Sequence, residues 1–268
     1  MDTAGQVRGH RPARGEPVLD RAFRILTSFG PDRSLSLSAL SARASLPKPT
    51  ALRLARKLTE LGALERTENG EYVIGLRLLE VASLAPRGHG LRATALPYME
   101  DLHLATGQHV LLAVREGGEA ILVERLSARG AGQVMYRVGG RMPLHSTGVG
   151  LVLLAHASSA LQDEILGQDL TLRPEGITRT SRELRVQLAG IRRDGVAIAG
   201  RTWPEPVTSV AAPIRGWHAE PSGSSGRSGP VAALSVVGRA DQVEPAVLRP
   251  AVVAVARAIS RALADATP

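Results

Sequence analysis

The chain has 268 residues, with 33 Lys and Arg, 25 Asp and Glu, seven His and no Cys, and its formal net charge is +8. The length allows one large domain or two of ordinary size, and the hydrophobic fraction of 44% is sufficient for a sizeable core. The absence of Cys excludes disulfide bridges, Cys-ligated metal sites and a Cys nucleophile. No apolar run approaches the roughly 20 residues that a membrane helix needs, so no membrane partner is expected.

The basic balance is a weak indicator of nucleic-acid binding when it is taken as a total. Lys48 and Lys57 are the two lysines, and every other basic residue is Arg, as GC-rich codon usage would produce. The local distribution of charge is therefore more informative than the pI of about 10.9.

The first part of the chain has the pattern of a basic arm followed by a small helical domain. Residues 1–17 are polar, contain Arg, Gly and Pro, and lack the apolar segment of a secretory signal, so we expect a flexible arm and a cytoplasmic protein. Apolar spacing, caps and turn residues then predict the following elements: helices over 18–29, 37–44 and 48–61, a hairpin over 64–66 and 72–74, and a helix over 76–84. On the third helix Leu52, Ala55, Leu58 and Leu61 are expected to face inward.

The segment Pro86–Gly90 is the best internal boundary, which predicts domains over 18–85 and 86–268. Beyond it, strands and helices alternate. We expect helices over 91–105, 148–157, 161–166, 181–194 and 245–264, and strands over 110–115, 120–125, 134–138, 196–198, 207–213 and 231–237. The Ser/Gly-rich segment 218–229 is expected to be a mobile hairpin loop.

The predicted second and third helices are separated by a short break and followed by a hairpin, which indicates a winged helix-turn-helix. From Ser34 to Thr59 there are five basic residues and no acidic one, a local imbalance that codon usage does not predict. A basic face opposite an apolar one suits a helix in the major groove of DNA. The alternative is an ordinary solvated helix face. The candidate DNA-binding residues are Lys48, Pro49, Thr50, Arg53, Arg56, Lys57, Arg43, Arg66 and Asn69.

The same segments carry a family resemblance. Val18–Leu26 resembles the opening helix of IclR-type bacterial transcription regulators, and Leu46–Leu54 resembles the family segment LPKSTVxRLL. Leu61–Arg66 and Tyr72–Leu79 look like its wing and linker helix. Pro49 replaces the usual Ser, which removes a hydroxyl from the start of the recognition helix while remaining compatible with a first helical turn.

The resemblance continues to the C-terminus. Gly139–Gly150 looks like the family's GxxxPLHxTAxGK loop and helix start, and 193–197, 207–214 and 230–236 resemble the strands that follow. The resemblance implies an α+β protein, in which the winged helix-turn-helix precedes a GAF-like α/β domain with an antiparallel sheet. It also implies a small effector, often a carboxylate, and a homodimer or a dimer of dimers on operator DNA.

An effector site is expected where a helix begins at Gly148, because unpaired N–H groups at a helix N-terminus favour an anion and Gly148 has no side chain to block it. An ordinary strand-to-helix turn is the alternative. The candidate effector-binding residues are His145, Thr147, Gly148, Val149, Ala199, Arg201, Trp203, Val207, Ser209 and Ser235. Ser209 stands where the family often has Cys, and Ala199-Gly200 where it often has an acidic pair.

These departures favour a larger ligand with an apolar or aromatic part over a hydroxylated two-carbon acid. Arg201 and Trp203 are alternatively surface and packing residues, and His145 is more simply a residue that orients the loop.

Catalytic motifs are not found: the sequence has no Gly-x-Ser-x-Gly elbow, P-loop or His-Glu-x-x-His. We therefore expect a transcriptional regulator, with repression as the preferred mode, and no enzyme, cofactor or metal. The alternatives are a small-molecule hydrolase or transferase with an incidental helical domain, and a purely architectural DNA binder.

Overall fold

The computed structural model describes residues 16–30, 34–85, 90–168, 170, 180–202, 205–216 and 232–265. The chain divides into two compact units, Met1–Ala85 and Pro86–Pro268. Most of the expected arm, the expected loop over 218–229 and Trp203 lie outside the described residues. At the end of the arm, Glu16 accepts a hydrogen bond from Arg24 at 2.8 Å.

The first unit is a helical bundle with a two-stranded hairpin. Its elements are α1 (Val18–Thr27), α2 (Leu37–Arg43), α3 (Lys48–Glu60), β1 (Leu64–Arg66), β2 (Tyr72–Ile74) and α4 (Arg77–Ser83). The hydroxyl of Ser36 accepts from the backbone N–H of Ala39 at 3.2 Å, so this residue caps α2. Gly62, with a φ of 72°, follows the end of α3.

The apolar face of α3 differs from the predicted one by about one position. Ala51, Leu54, Ala55 and Leu58 are buried, whereas Leu52 is half-buried and Leu61 is 59% exposed. The prediction for Leu61 was wrong because the helix ends at Glu60, and the chain turns away there through Gly62. The first helix also ends at Thr27, although Phe29 still packs in the core of the first unit.

The second unit is an α/β sandwich. Its elements are α5 (Leu91–Thr106), β3 (His109–Glu116), β4 (Glu119–Leu126), β5 (Arg141–Pro143), α6 (Gly148–Ala155), α7 (Ser159–Leu166), α8 (Ser181–Asp194), β6 (Ala197–Arg201), β7 (Val207–Ile214), β8 (Ala232–Arg239) and α9 (Pro245–Asp265).

The strands β3 to β8 form a six-stranded antiparallel sheet in the order β5-β4-β3-β8-β7-β6. One face packs against α5 and α9 through an aliphatic core. The other face packs against α6, every residue of which is buried, and α8 lies against α6 in turn. The sheet and α6 therefore form the walls between which a ligand site can lie.

The predicted strand over 134–138 was wrong, and the structure has the short strand β5 at Arg141–Pro143 instead. The carbonyl groups of Val134 and Tyr136 accept hydrogen bonds from the guanidinium of Arg125 at 3.4 and 2.8 Å. A side chain therefore satisfies these two carbonyl groups, and the segment belongs to no β-ladder.

Candidate functional site

The outward face of α3 is basic. Lys48, Pro49, Arg53, Arg56 and Lys57 are exposed, and Thr50 is half-buried. The first turn follows Pro47, and Pro49 lies where the backbone N–H has no intrahelical acceptor, so proline costs the helix no hydrogen bond there. The apolar side of α3 therefore packs in the core of the first unit, and its charged side faces solvent.

The cations of the first unit differ in what they contact. Within the part of the chain that the structure describes, the guanidinium groups of Arg53 and Arg56 have no hydrogen-bond or ion-pair partner. Lys57 pairs with Glu60 at 2.9 Å, and both side chains are exposed. Arg43 donates to the carbonyl of Ser28 at 3.4 Å. An exposed ion pair is worth at most about 1 kcal/mol, so Lys57 can exchange Glu60 for a phosphate at little cost.

The wing residues contribute unequally. Arg66 donates from Nε and Nη2 to the carbonyl of Gly70 at 3.3 and 3.1 Å, and its guanidinium lies 5.4 Å from the centre of the Tyr72 ring. These contacts hold the hairpin turn closed, a role that the sequence did not reveal. Asn69 lies exposed at the tip of the turn.

A cavity that is partly open to solvent lies between the sheet and the start of α6. Seven of the lining residues are candidates from the sequence besides Gly148: Thr147, Val149, Ala199, Arg201, Val207, Ser209 and Ser235. His145 is buried but does not line the cavity. Sequence reasoning missed the following lining residues: Leu111, Gln133, Val134, Met135, Tyr136, Met142, Ser146, Gly200 and Val237.

The start of α6 presents backbone donors to this cavity. The hydroxyl of Thr147 accepts from the N–H of Gly150 at 3.1 Å and donates to the carbonyl of Pro143 at 2.9 Å, which fixes the turn. The N–H groups of Gly148 and Val149 have no acceptor among the described residues. Together with the helix dipole they favour an anion.

Gly148 is required for packing as well. A Cβ atom there would overlap the hydroxyl of Ser209 and lie 3.0 Å from the Cβ of Ser209 and 3.4 Å from that of Ala211. The expectation that glycine at this position serves ligand access is therefore incomplete, because its open side is filled by β7.

The hydroxyl groups of Ser209 and Ser235 add neutral polar contacts on the sheet side. Ser235 is only 1% exposed, and neither hydroxyl has a hydrogen-bond partner in the described part of the chain. Because both residues line the cavity, their hydroxyl groups can bind a ligand or water there.

A cover segment, Gln133–Tyr136, closes one side of the cavity. Arg201 donates to the carbonyl of Gln133 at 2.7 Å, and Arg125 binds the carbonyls of Val134 and Tyr136. The N–H of Gln133 donates to the carboxylate of Glu205. The contacts of Gln133 with Arg201 and Glu205 join residues 68 and 72 positions apart, and for this reason no local sequence pattern identifies the segment.

No metal centre is found: among the described residues, no group of three or more His, Asp or Glu is arranged to hold a metal ion. None of the described helices is long and apolar enough to cross a membrane.

Comparison with known proteins agrees with both halves of the chain. Residues 18–68 match the IclR helix-turn-helix domain, and residues 85–263 match the domain described as bacterial transcriptional regulator IclR C-terminal. The HTH-type transcriptional regulator XynR of Escherichia coli K12 is 30% identical over 253 residues, covering 91% of this chain and 96% of that protein.

Two further relatives bear on function. The HTH-type transcriptional repressor AllR of the same strain is 31% identical over 156 residues, 55% of this chain and 58% of that protein. The crystal structure of an IclR homolog from Microbacterium hydrocarbonoxydans complexed with 4-hydroxybenzoate has a TM-score of 0.83 and 33% identity, covering 93% of this chain and all of that one.

A winged helix-turn-helix joined to an effector-binding α/β unit defines a DNA-binding transcriptional regulator modulated by a small molecule. The chain belongs to the IclR family of these regulators.

Proposed function

We propose that the chain binds double-stranded operator DNA through α3, with Lys48, Pro49, Thr50, Arg53, Arg56 and Lys57 on the contact face and Arg43, Arg66 and Asn69 at its margins. The observation that carries this proposal is the pair of exposed guanidinium groups on α3, in a stretch that contains no acid from Ser34 to Thr59. Arg can bind guanine through two hydrogen bonds, and Lys neutralises phosphates.

The test is binding to the DNA that flanks the gene of this protein. Arg53→Ala should weaken binding by roughly 1–3 kcal/mol if its guanidinium contacts a base. The matched control is Arg185→Ala on α8, which removes the same charge from an exposed ion pair in the second unit. Equal losses in the two variants, or wild-type binding that does not weaken with salt, would contradict the proposal.

The protein acts as a homodimer, and a dimer of dimers is the expected larger assembly. One recognition helix covers a single half-site, so a two-fold operator needs two copies. Two apolar side chains on α1 are exposed in the single chain, Leu19 at 73% and Phe23 at 66%. At α4, Leu79 and Leu84 are exposed as well. A second copy is the occupant that would cover them. Sedimentation of the wild type and of the double variant Leu19→Lys, Phe23→Lys tests this. The charged side chains should prevent contact between the DNA-binding units of two copies, so the variant should self-associate more weakly than the wild type.

The effector is a carboxylate with an apolar or aromatic body. The N–H groups at the start of α6 suit the carboxylate, and the cavity wall is mainly aliphatic. The Microbacterium homolog that binds 4-hydroxybenzoate supports this class. Benzoate and 4-hydroxybenzoate should raise the melting temperature of the protein, and acetate should raise it less.

A cavity-filling pair of variants separates specific binding from general salt effects. Ala199→Leu places extra volume in the cavity and should reduce the thermal shift. Ile198→Leu is the control, because Ile198 is the neighbouring residue on β6 and does not line the cavity. Equal ligand responses in both variants would place binding elsewhere.

The protein represses transcription in the cytoplasm; one of its relatives, AllR, is a transcriptional repressor. Effector binding then releases the operator. It is not an enzyme. In the described residues the cavity contains hydroxyl groups but no His, Asp or Glu that could act as their base. A reporter gene should be induced by effector, and the effector should be recovered unchanged after incubation.

A further inference from the structure

Arg201 lies at a different level of the cavity from the start of α6. In the sheet register Arg201 pairs with Val207, whereas Ala199 pairs with Ser209, the residue against which Gly148 packs. Two residues along a strand correspond to about 7 Å. The backbone of Arg201 is thus about 7 Å along the sheet from the level of Gly148, and its guanidinium reaches the Gln133 carbonyl of the cover segment. The cavity lining therefore includes two groups that favour an anion, the N–H groups of α6 and the Arg201 guanidinium.

Arg201 is the one charged side chain among the described residues that line the cavity. Its Nη2 donates to the carbonyl of Gln133, and a guanidinium carries five N–H groups in a planar fork, so it can hold this carbonyl and a ligand oxygen at the same time. Glu205 lies close behind, on the N–H of Gln133, but its carboxylate is not part of the cavity lining.

Apart from the polar groups described above, the remaining lining of the cavity is mainly apolar. Val149 comes from α6, Val207 and Val237 from the sheet, and Val134 and Met135 from the cover segment. Such a wall favours a hydrocarbon spacer, and a polar group placed midway would lose its hydration without a partner. The lining thus favours a ligand that is polar at both ends and apolar between them.

We propose that the site takes a dicarboxylate with a rigid apolar spacer, with one carboxylate on the N–H groups of Gly148 and Val149 and the other on Arg201. This proposal rests on the proposed effector site and adds the second acidic group. Arg201 then selects the effector, because a second carboxylate gains a charge-assisted hydrogen bond from the guanidinium that a monocarboxylate does not make.

The experiment is isothermal titration of the full chain with benzoate and with benzene-1,4-dicarboxylate. Wild type should bind the diacid about tenfold or more tightly than the monoacid, as expected for a hydrogen bond between charged groups. Arg201→Gln also loses the bond to Gln133, so both acids should bind it more weakly, but the diacid should lose about tenfold more affinity than benzoate and the preference should disappear. Arg201→Lys should keep part of the preference. Arg141→Gln is the control, since Arg141 pairs with Glu119 outside the cavity lining and should keep the full preference.

Equal wild-type affinities for the two acids would overturn the second carboxylate position and leave the proposed monocarboxylate site standing. Equal losses of both acids in Arg201→Gln would also overturn it, because Arg201 would then act only by holding the cover segment. If neither acid bound to the folded wild type, the carboxylate site itself would be wrong.

Discussion

Ser45 occupies the turn between α2 and α3 and has a φ of 51°. Among the described residues it is the one non-glycine residue with a positive φ, and its side chain is exposed. The left-handed conformation costs an L residue roughly 1–2 kcal/mol relative to glycine. Because this turn sets the angle between the two DNA-binding helices, the cost is tolerated at a position that matters for function.

Replacement of Ser45 should therefore discriminate between backbone and side-chain effects. Ser45→Gly should preserve or slightly raise the free energy of unfolding, whereas Ser45→Val should lower it by about 1–2 kcal/mol. Urea unfolding measures both. Ser38→Val on the exposed face of α2 is the control, and an equal loss there would show that valine is poorly tolerated in this region for another reason.

His156 predicts a pH dependence of stability. Its Nδ1 lies 2.9 Å from the carbonyl of Val152, and its Nε2 lies 2.8 Å from Nη2 of Arg215, an arrangement that needs a neutral ring with the proton on Nδ1. Burial, and the charges of Arg215 and Arg192, lower the pKa of His156 below its usual value despite the bond to Val152.

The sign follows from linkage. His156 binds a proton more readily in the unfolded chain than in the folded protein. The contribution of neutral His156 to the free energy of unfolding is therefore complete above about pH 6.5 and is lost as the pH falls below that value. Between pH 7.5 and pH 5, wild type should lose more unfolding free energy than His156→Gln, which has no proton to gain. Parallel pH profiles for the two proteins would contradict the assignment.

At the scale of elements, the contact between α6 and β7 is the one that builds the effector site. Local sequence signals predicted both elements, a helix that begins at Gly148 and a strand over 207–213. They did not predict that the helix would approach the strand so closely that Ser209 fills the side of Gly148. That contact joins residues more than 50 positions apart, and no periodicity encodes it.

This contact can be tested by a double-mutant cycle. Gly148→Ala should destabilise the protein by about 1–3 kcal/mol through overpacking against Ser209. Adding Ser209→Ala should recover part of the loss, because it removes the overlapping hydroxyl while the Cβ contact at 3.0 Å remains. Thermal unfolding of the two single variants and the double variant gives the coupling, and strictly additive effects would contradict the packing described above.

The conformation of the cover segment was not predicted from the sequence pattern. Alternation over 134–138 resembles a strand, yet the carbonyls of Val134 and Tyr136 are bound by the side chain of Arg125. A guanidinium can replace a neighbouring strand, and only the three-dimensional arrangement reveals this. Four of the nine missed lining residues therefore come from a segment whose backbone is held by side chains.

At the scale of the molecule, the total charge predicted little, whereas the acid-free stretch from Ser34 to Thr59 and the family-like motifs predicted the function. Family membership and the α+β fold are confirmed by the comparisons. The individual contacts to DNA and effector stay predictions. A regulator of this kind works through a coupling free energy, typically 1–3 kcal/mol, that acts equally in both directions.

The most direct test measures that coupling at equilibrium, with the aromatic carboxylate that stabilises the protein most. DNA affinity is measured with and without the acid, and acid affinity with and without the DNA flanking the gene. The two ratios should be equal and differ from one by about 5- to 150-fold. If saturating acid left the DNA affinity unchanged, effector control through this cavity would be contradicted.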